Sequence, residues 1–199
     1  MKAHKSRIKI LKILLKDSTV KPTITSLAKE VGISRVGAWK VIMGLGTEKL
    51  VKASVAGTGK TSVILVSLNW DNPLIEKTLS VALTEDAIKN QRWINNFAEL
   101  GDKVAFLIIY GSIIHSPKEA NDIDILSVTN KSKFLEIEEA IKKIQKTQLK
   151  KMHILNFTQA ELKQELEKPN RVFIDAIKKG IVLFGQEKFI KFIKNLDRK

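Results

Sequence analysis

A chain of 199 residues with no cysteine carries 35 Lys and Arg against 21 Asp and Glu, a formal charge of +14. Disulfides, thiolate metal sites and cysteine nucleophiles are thereby excluded, and a polyanionic partner is favoured. The excess sits at one end: thirteen basic and three acidic residues give Met1 to Trp70 a formal +10, while Asp71 to Lys199 keeps +4.

The first stretch, MKAHKSRIKILKILLK, places Ile8, Leu11, Leu14 and Leu15 at helical spacing. Lys9, Lys12 and Lys16 interrupt its apolar run and no small-residue cleavage site comes after it, which predicts a helix rather than a signal peptide. No later apolar run is long enough for a membrane span, and the absence of thiols suits a reducing compartment. The expectation is a cytoplasmic protein with no membrane partner. Pro22 and its polar neighbours end the first helix. In TITSLAKEVG, Thr23 is the expected N-cap, Ile24, Leu27, Ala28 and Val31 the apolar face, and Gly32 the stop. In ISRVGAWKVIMGL, Ser34 caps a third helix whose Ala38, Ile42 and Leu45 share one face; Arg35, Val36, Gly37 and Lys40 then fall on the other face near its start. LVKASVAGTGKTSVILVSL has two β-branched runs around the turn AGTGK, the pattern of a hairpin.

Three helices and a hairpin in this order resemble the winged helix-turn-helix family over roughly the first third of the chain. SLAKEVGISRVGAWKVI has that family's small residue, turn glycine and capping serine in sequence, in a form similar to biotin-operon-type repressor domains. The resemblance implies binding to double-stranded DNA, with Ser34, Arg35, Gly37 and Lys40 against the duplex and Lys60 at the wing tip on phosphate. Paired half-sites would call for a homodimer. Two departures stand out. Gly44 and Gly46 each cost a helix about 1 kcal/mol relative to alanine, so its end is expected to be short or bent; and Lys49 stands where such domains often have glycine. The segment GTGKT, Gly57 to Thr61, is not a P-loop. The glycine such a loop needs five residues before Gly59 is Ser54, and the residues after the lysine are strand-like.

A turn cluster at NWDNP ends the hairpin pattern, and Leu74 to Leu100 carries helical spacing, read as one or two helices connecting or covering the domains. From Val104 the pattern is α/β: VAFLIIY and DIDILSV as strands, FLEIEEAIKKIQK as an amphipathic helix, KMHILNF as a strand, TQAELKQELEK and NRVFIDAIKKG as helices, IVLFG as a short strand and EKFIKFIKNL as a last helix. The expected organisation is α/β (α+β) in two domains: 1–70, a helical connector over 71–100, and a mixed sheet flanked by helices over 101–199.

Within YGSIIHSPKEANDIDIL, Gly111 follows a buried strand and lets backbone and ligand approach closely, and Ser112 adds a hydroxyl at a helix start, a suitable place for phosphate. Asp122 and Asp124, two apart on a strand, point to one face, where they can share a hard divalent cation. Gly-Ser, a gap of nine and Asp-x-Asp resemble the signature of the nucleotidyltransferase fold of the polymerase-beta superfamily, over about Leu100 to Gly185. That resemblance implies that Gly111 and Ser112 hold the phosphates of a nucleoside triphosphate (NTP) and that Asp122 and Asp124 hold Mg²⁺ or Mn²⁺ and carry catalysis. A third carboxylate usual on the next strand is missing. His153 falls near its place by alternation, but a neutral imidazole is a poor ligand for Mg²⁺, and the residue reads as a half-buried strand position with its nitrogens hydrogen-bonded. The loop also lacks the usual arginine and glycine, Lys118 being the available charge. Two functions stay open: a DNA-binding transcriptional regulator whose second domain binds NTP and Mg²⁺ without catalysis, favoured by the incomplete acid set, or an active enzyme moving NMP from NTP to a protein, RNA or small-molecule hydroxyl.

Overall fold

The computed structural model of the chain describes residues 2–17, 21–59, 62–168 and 171–197. It is a mixed α/β architecture with two separate sheets. The chain divides into two compact units, Met1–Ala82 with Ile193–Lys199, and Leu83–Phe192.

In the first unit, α1 (Lys2–Lys16), α2 (Ile24–Val31) and α3 (Arg35–Thr47) precede a hairpin of β1 (Val51–Ala56) and β2 (Val63–Leu68). The punctuation works as the residue types require. Thr23 accepts a bond from the Ser26 amide at 3.1 Å, Gly32 closes α2 in the left-handed conformation at φ 79°, and Ser34 accepts from the Gly37 amide at 3.0 Å. Leu11, Leu15, Leu27, Ala38, Leu45 and Val66 are almost fully shielded from solvent. The hairpin is tied to the start of α2 by the Val66 amide donating to the Pro22 carbonyl at 2.9 Å and by a bridge between Thr23 and Leu65.

The expectation for the end of α3 is overturned: the helix runs unbroken through Gly44 and Gly46 to Thr47. Burying Leu45 between the two glycines offsets their propensity cost, a tertiary effect that local preference does not register. A methyl group added at either glycine would meet nothing within 4 Å. Gly46→Ala is therefore expected to raise the stability of this unit by about 1 kcal/mol, read as a later midpoint in urea-induced unfolding. Lys49, just beyond α3, takes the left-handed conformation at φ 56°, which is why glycine is the favoured residue there.

The first unit continues past Trp70, where the sequence pattern places a boundary. The Asn72 side chain donates to the Glu48 and Lys49 carbonyls at 3.1 and 3.2 Å, the Trp70 indole to Asp197 at 2.7 Å, and Lys194 pairs with Glu76. These bonds fasten the turn and the first half of α4 (Pro73–Ile88) to the unit, as well as the last residues of α10 (Gln186–Asp197).

The second unit is built on a four-stranded sheet. Between α4 and the sheet come α5 (Gln91–Asn96) and a 3₁₀ turn (Ala98–Leu100). Then come β3 (Phe106–Tyr110), the single turn α6 (Ser112–His115), β4 (Asp122–Val128), α7 (Phe134–Gln145), β5 (Lys151–Phe157), α8 (Gln159–Glu167), α9 (Arg171–Lys179) and β6 (Ile181–Phe184). The order across the sheet is β5-β4-β3-β6; β3 is antiparallel to β4 and β6, and β4 is parallel to β5. One face buries Leu107, Ile109, Ile123, Ile125 and Met152 in a cluster with Trp93, Phe97 and the apolar side of α7; the Trp93 and Phe97 rings stack at 5.9 Å. On the other face Phe106 packs against Phe189 and Phe192, and Phe157 against Phe173, so α9 and α10 pack on that face. Where β4 begins, Asp122 and Asp124 are partly exposed and His153 is exposed. Among the described residues no helix is long and apolar enough to cross a membrane.

Candidate functional site

The end of the second sheet where β4 begins is assembled by register. Direct pairing puts Tyr110 on β3 opposite Asp124 on β4, and Asp124 level with His153 on β5; Asp122 is level with Lys151. Residues so paired point to the same face of a sheet, so Tyr110, Asp122, Asp124, Lys151 and His153 project together. The two carboxylates are not splayed.

Gly111 follows β3 with φ 82° and ψ −166°, a conformation essentially reserved for glycine. It also has no room for a side chain: an added Cβ would lie 2.4 Å from the Asp124 Oδ2. The Asp124 carboxylate thus rests directly against the backbone that leads into Ser112, the first residue of α6. Gly111 and Ser112 are both exposed. The sequence-based grouping of Gly111, Ser112, Asp122 and Asp124 therefore corresponds to one corner in space.

His153 brings its Nδ1 to 3.5 Å from Asp122 Oδ2 and 3.7 Å from Asp124 Oδ1. Its side chain, on β5 and 46% exposed, faces the two acids. Among the described residues Asp122, Asp124 and His153 form a group whose donor atoms lie within 4.8 Å of one another, and two carboxylates with an imidazole form a donor set suited to a divalent cation. Burial and the neighbouring charge of Asp122 push the Asp124 carboxyl above the ordinary range, partly offset by His153. A carboxyl raised in this way binds its proton more readily folded than unfolded, so its contribution to stability falls as pH rises through the raised value. A cation placed between the acids would remove that penalty. Burial, then the charges of Asp124 and Asp122, push the Tyr110 phenol up to about 12, so it stays a neutral donor at physiological pH and cannot serve as a base.

Sequence reasoning missed Lys151. Alternation along KMHILNF puts Lys151, His153, Leu155 and Phe157 on one face, and that signal could have found it once β4 and β5 were known to be parallel neighbours. Lys118, the charge the sequence offered near this loop, lies exposed in the turn after α6.

In the first unit Ser34, Arg35 and Gly37 lie at the start of α3, and Lys40 one turn on; Ser34, Arg35 and Lys40 are exposed and Gly37 partly so. Lys60 lies outside the described residues. The exposed face of α3 also carries Val36 (65% exposed), named on that face from sequence, and Trp39 (42%) and Met43 (51%), which attention to cations alone overlooks. Their steps of three and four make a second apolar stripe, opposite Ala38, Ile42 and Leu45, and that spacing was the available signal.

No protein-family model matches the chain, and no curated protein matches it. Among solved structures, ZitR of Lactococcus lactis, a zinc-responsive MarR family member, is similar at 20% identity over 71% of this chain and 74% of that one, with a TM-score of 0.33. A mutant of the same protein gives 20% identity over 72% and 75%, also with a TM-score of 0.33. Likeness at that level leaves the function to be argued from this chain's own residues.

Proposed function

We propose that the chain is a DNA-binding transcriptional regulator of winged helix-turn-helix type, whose second unit has a nucleotidyltransferase-like fold and binds a nucleoside triphosphate together with a divalent cation. The observation that carries the nucleotide half is the contact between Gly111 and Asp124: a glycine-only backbone corner presses one carboxylate of an Asp-x-Asp pair against an exposed Gly-Ser turn. Gly111 and Ser112 would receive phosphate oxygens, and Asp122 and Asp124 would hold the cation, which neutralises the triphosphate when bound. Lys151, level with Asp122, adds a positive charge on the same face. The mixed sheet, with an antiparallel strand before the Asp-x-Asp strand and a parallel one after it, is consistent with this reading.

The DNA half rests on the exposed start of α3 in the part of the chain that carries a formal +10. Arg35 and Lys40 would meet phosphates or base edges, while Val36 and Met43 are suited to thymine methyl groups. The double change Arg35→Ala, Lys40→Ala is expected to weaken binding to duplex DNA at least about tenfold and to lower the salt slope by about 2, roughly one for each phosphate that is no longer neutralised. Fluorescence anisotropy over a salt series reads both quantities. Unchanged affinity and slope would remove α3 from the interface.

Fast phosphoryl transfer is disfavoured by the imidazole at the third acid's place, because that chemistry depends almost wholly on charge neutralisation and positioning. Incubation with labelled NTPs and Mn²⁺ should give binding without label transfer. Transfer abolished by Asp122→Ala and by Asp124→Ala would replace the regulator that binds without catalysis by the enzyme, with Asp122 and Asp124 as its catalytic residues.

A further inference from the structure

We propose that His153 is a third metal ligand, through Nδ1, and that it makes the site selective for a transition-metal dication over Mg²⁺. This rests on the cation-binding reading of Asp122 and Asp124 and goes beyond it by assigning the ion's chemical class. Two donors each about 2.1 Å from one metal ion stand about 3.0 to 3.4 Å apart in octahedral or tetrahedral geometry. The observed separations from Nδ1, 3.5 Å to Asp122 and 3.7 Å to Asp124, exceed that by a few tenths of an ångström, within the reach of side-chain rotation. The three residues stand on two adjacent parallel strands, and Asp124 and His153 are level in register, so the backbone fixes the donors before any ion arrives.

The ligand chemistry then decides the ion. Mg²⁺ takes oxygen donors almost exclusively and gains little from an imidazole, whereas Mn²⁺ and the later first-row dications accept nitrogen with rising affinity along the series. A site that exchanges its third carboxylate for an imidazole loses charge attraction for every dication. Only for the transition metals does it recover part of that loss through the nitrogen. The other imidazoles lie elsewhere in sequence, His4 on α1 and His115 at the end of α6, and neither belongs to the group of donors around Asp122 and Asp124.

The test uses the full chain and the metals alone. Mn²⁺ affinity is measured by the loss of the free-ion EPR signal, Mg²⁺ affinity by competition, and ligation by nitrogen modulation in the pulsed EPR spectrum of bound Mn²⁺. Wild type is expected to prefer Mn²⁺ over Mg²⁺ and to show the nitrogen coupling. His153→Asp should abolish the coupling and narrow the preference at least tenfold by improving Mg²⁺ binding, with circular dichroism confirming the fold. If the coupling is absent in wild type, or the preference is unchanged in His153→Asp, the assignment of His153 falls while the two-carboxylate site stands. If wild type binds neither ion, or an Asp122→Asn, Asp124→Asn double variant binds as well as wild type, the cation-binding reading itself falls, and the assignment with it.

Discussion

Gly111→Ala is expected to abolish cation-dependent nucleotide binding and to destabilise the second unit by about 2 kcal/mol, the middle of the range for a non-glycine residue held in such a backbone conformation. Both effects come from one methyl group. At φ 82° and ψ −166° any L side chain is strained, and its Cβ would overlap the Asp124 Oδ2 at 2.4 Å. The carboxylate can swing away, but only by leaving the position in which it flanks the Gly-Ser corner and faces His153. Urea-induced unfolding measures the loss of stability and nucleotide titration the loss of binding. Gly46→Ala on α3 is the natural control, since the same chemical change is expected to act there with the opposite sign. A Gly111→Ala protein of normal stability and normal binding would show that the corner has no role.

Asp124→Asn should separate binding from stability more cleanly. The amide is nearly isosteric with the carboxylate, so packing is kept while the charge is removed. Burial and Asp122 raise the Asp124 carboxyl above its ordinary range, so without a cation the ionised form is a source of destabilisation that grows as pH rises through the raised value. The variant is therefore expected to be at least as stable as wild type above that range, with a flatter dependence of stability on pH. Cation affinity should fall at least about a hundredfold, because loss of a ligand exceeds the cost of losing one of its supporting partners. Residues kept for packing do not behave this way; stability gained and binding lost together mark a group retained for a ligand.

Much of the architecture was written in local patterns. Thr23, Gly32 and Ser34 announce the ends of α2 and α3 because capping chemistry needs few neighbours, and the left-handed Lys49 sits at the place where the family pattern has glycine. The features that failed depended on partners distant in sequence. The continuity of α3 through two glycines comes from the burial of Leu45. The extension of the first unit past Trp70 comes from side chains such as Asn72 and Trp70 bonding to Glu48, Lys49 and Asp197, and no periodicity reports such bonds.

The candidate site divides in the same way. Asp122 and Asp124 share a face by alternation alone, and Gly111 declares its turn. The placement of His153 and Lys151 beside them required knowing that β5 lies next to β4, parallel and in a given register. Strand order is set by how helices cover the sheet, and the pattern of β4 hides even its own orientation after Asp124, since Ile125 to Val128 are all buried.

The most direct test of the account is equilibrium dialysis of labelled ATP against the full chain, with and without Mn²⁺, for wild type and an Asp122→Asn, Asp124→Asn double variant. Saturable binding that needs the cation and vanishes in the double variant is the predicted result. Retention of nucleotide that is indifferent to Mn²⁺ or to both substitutions, or none at all, would contradict it.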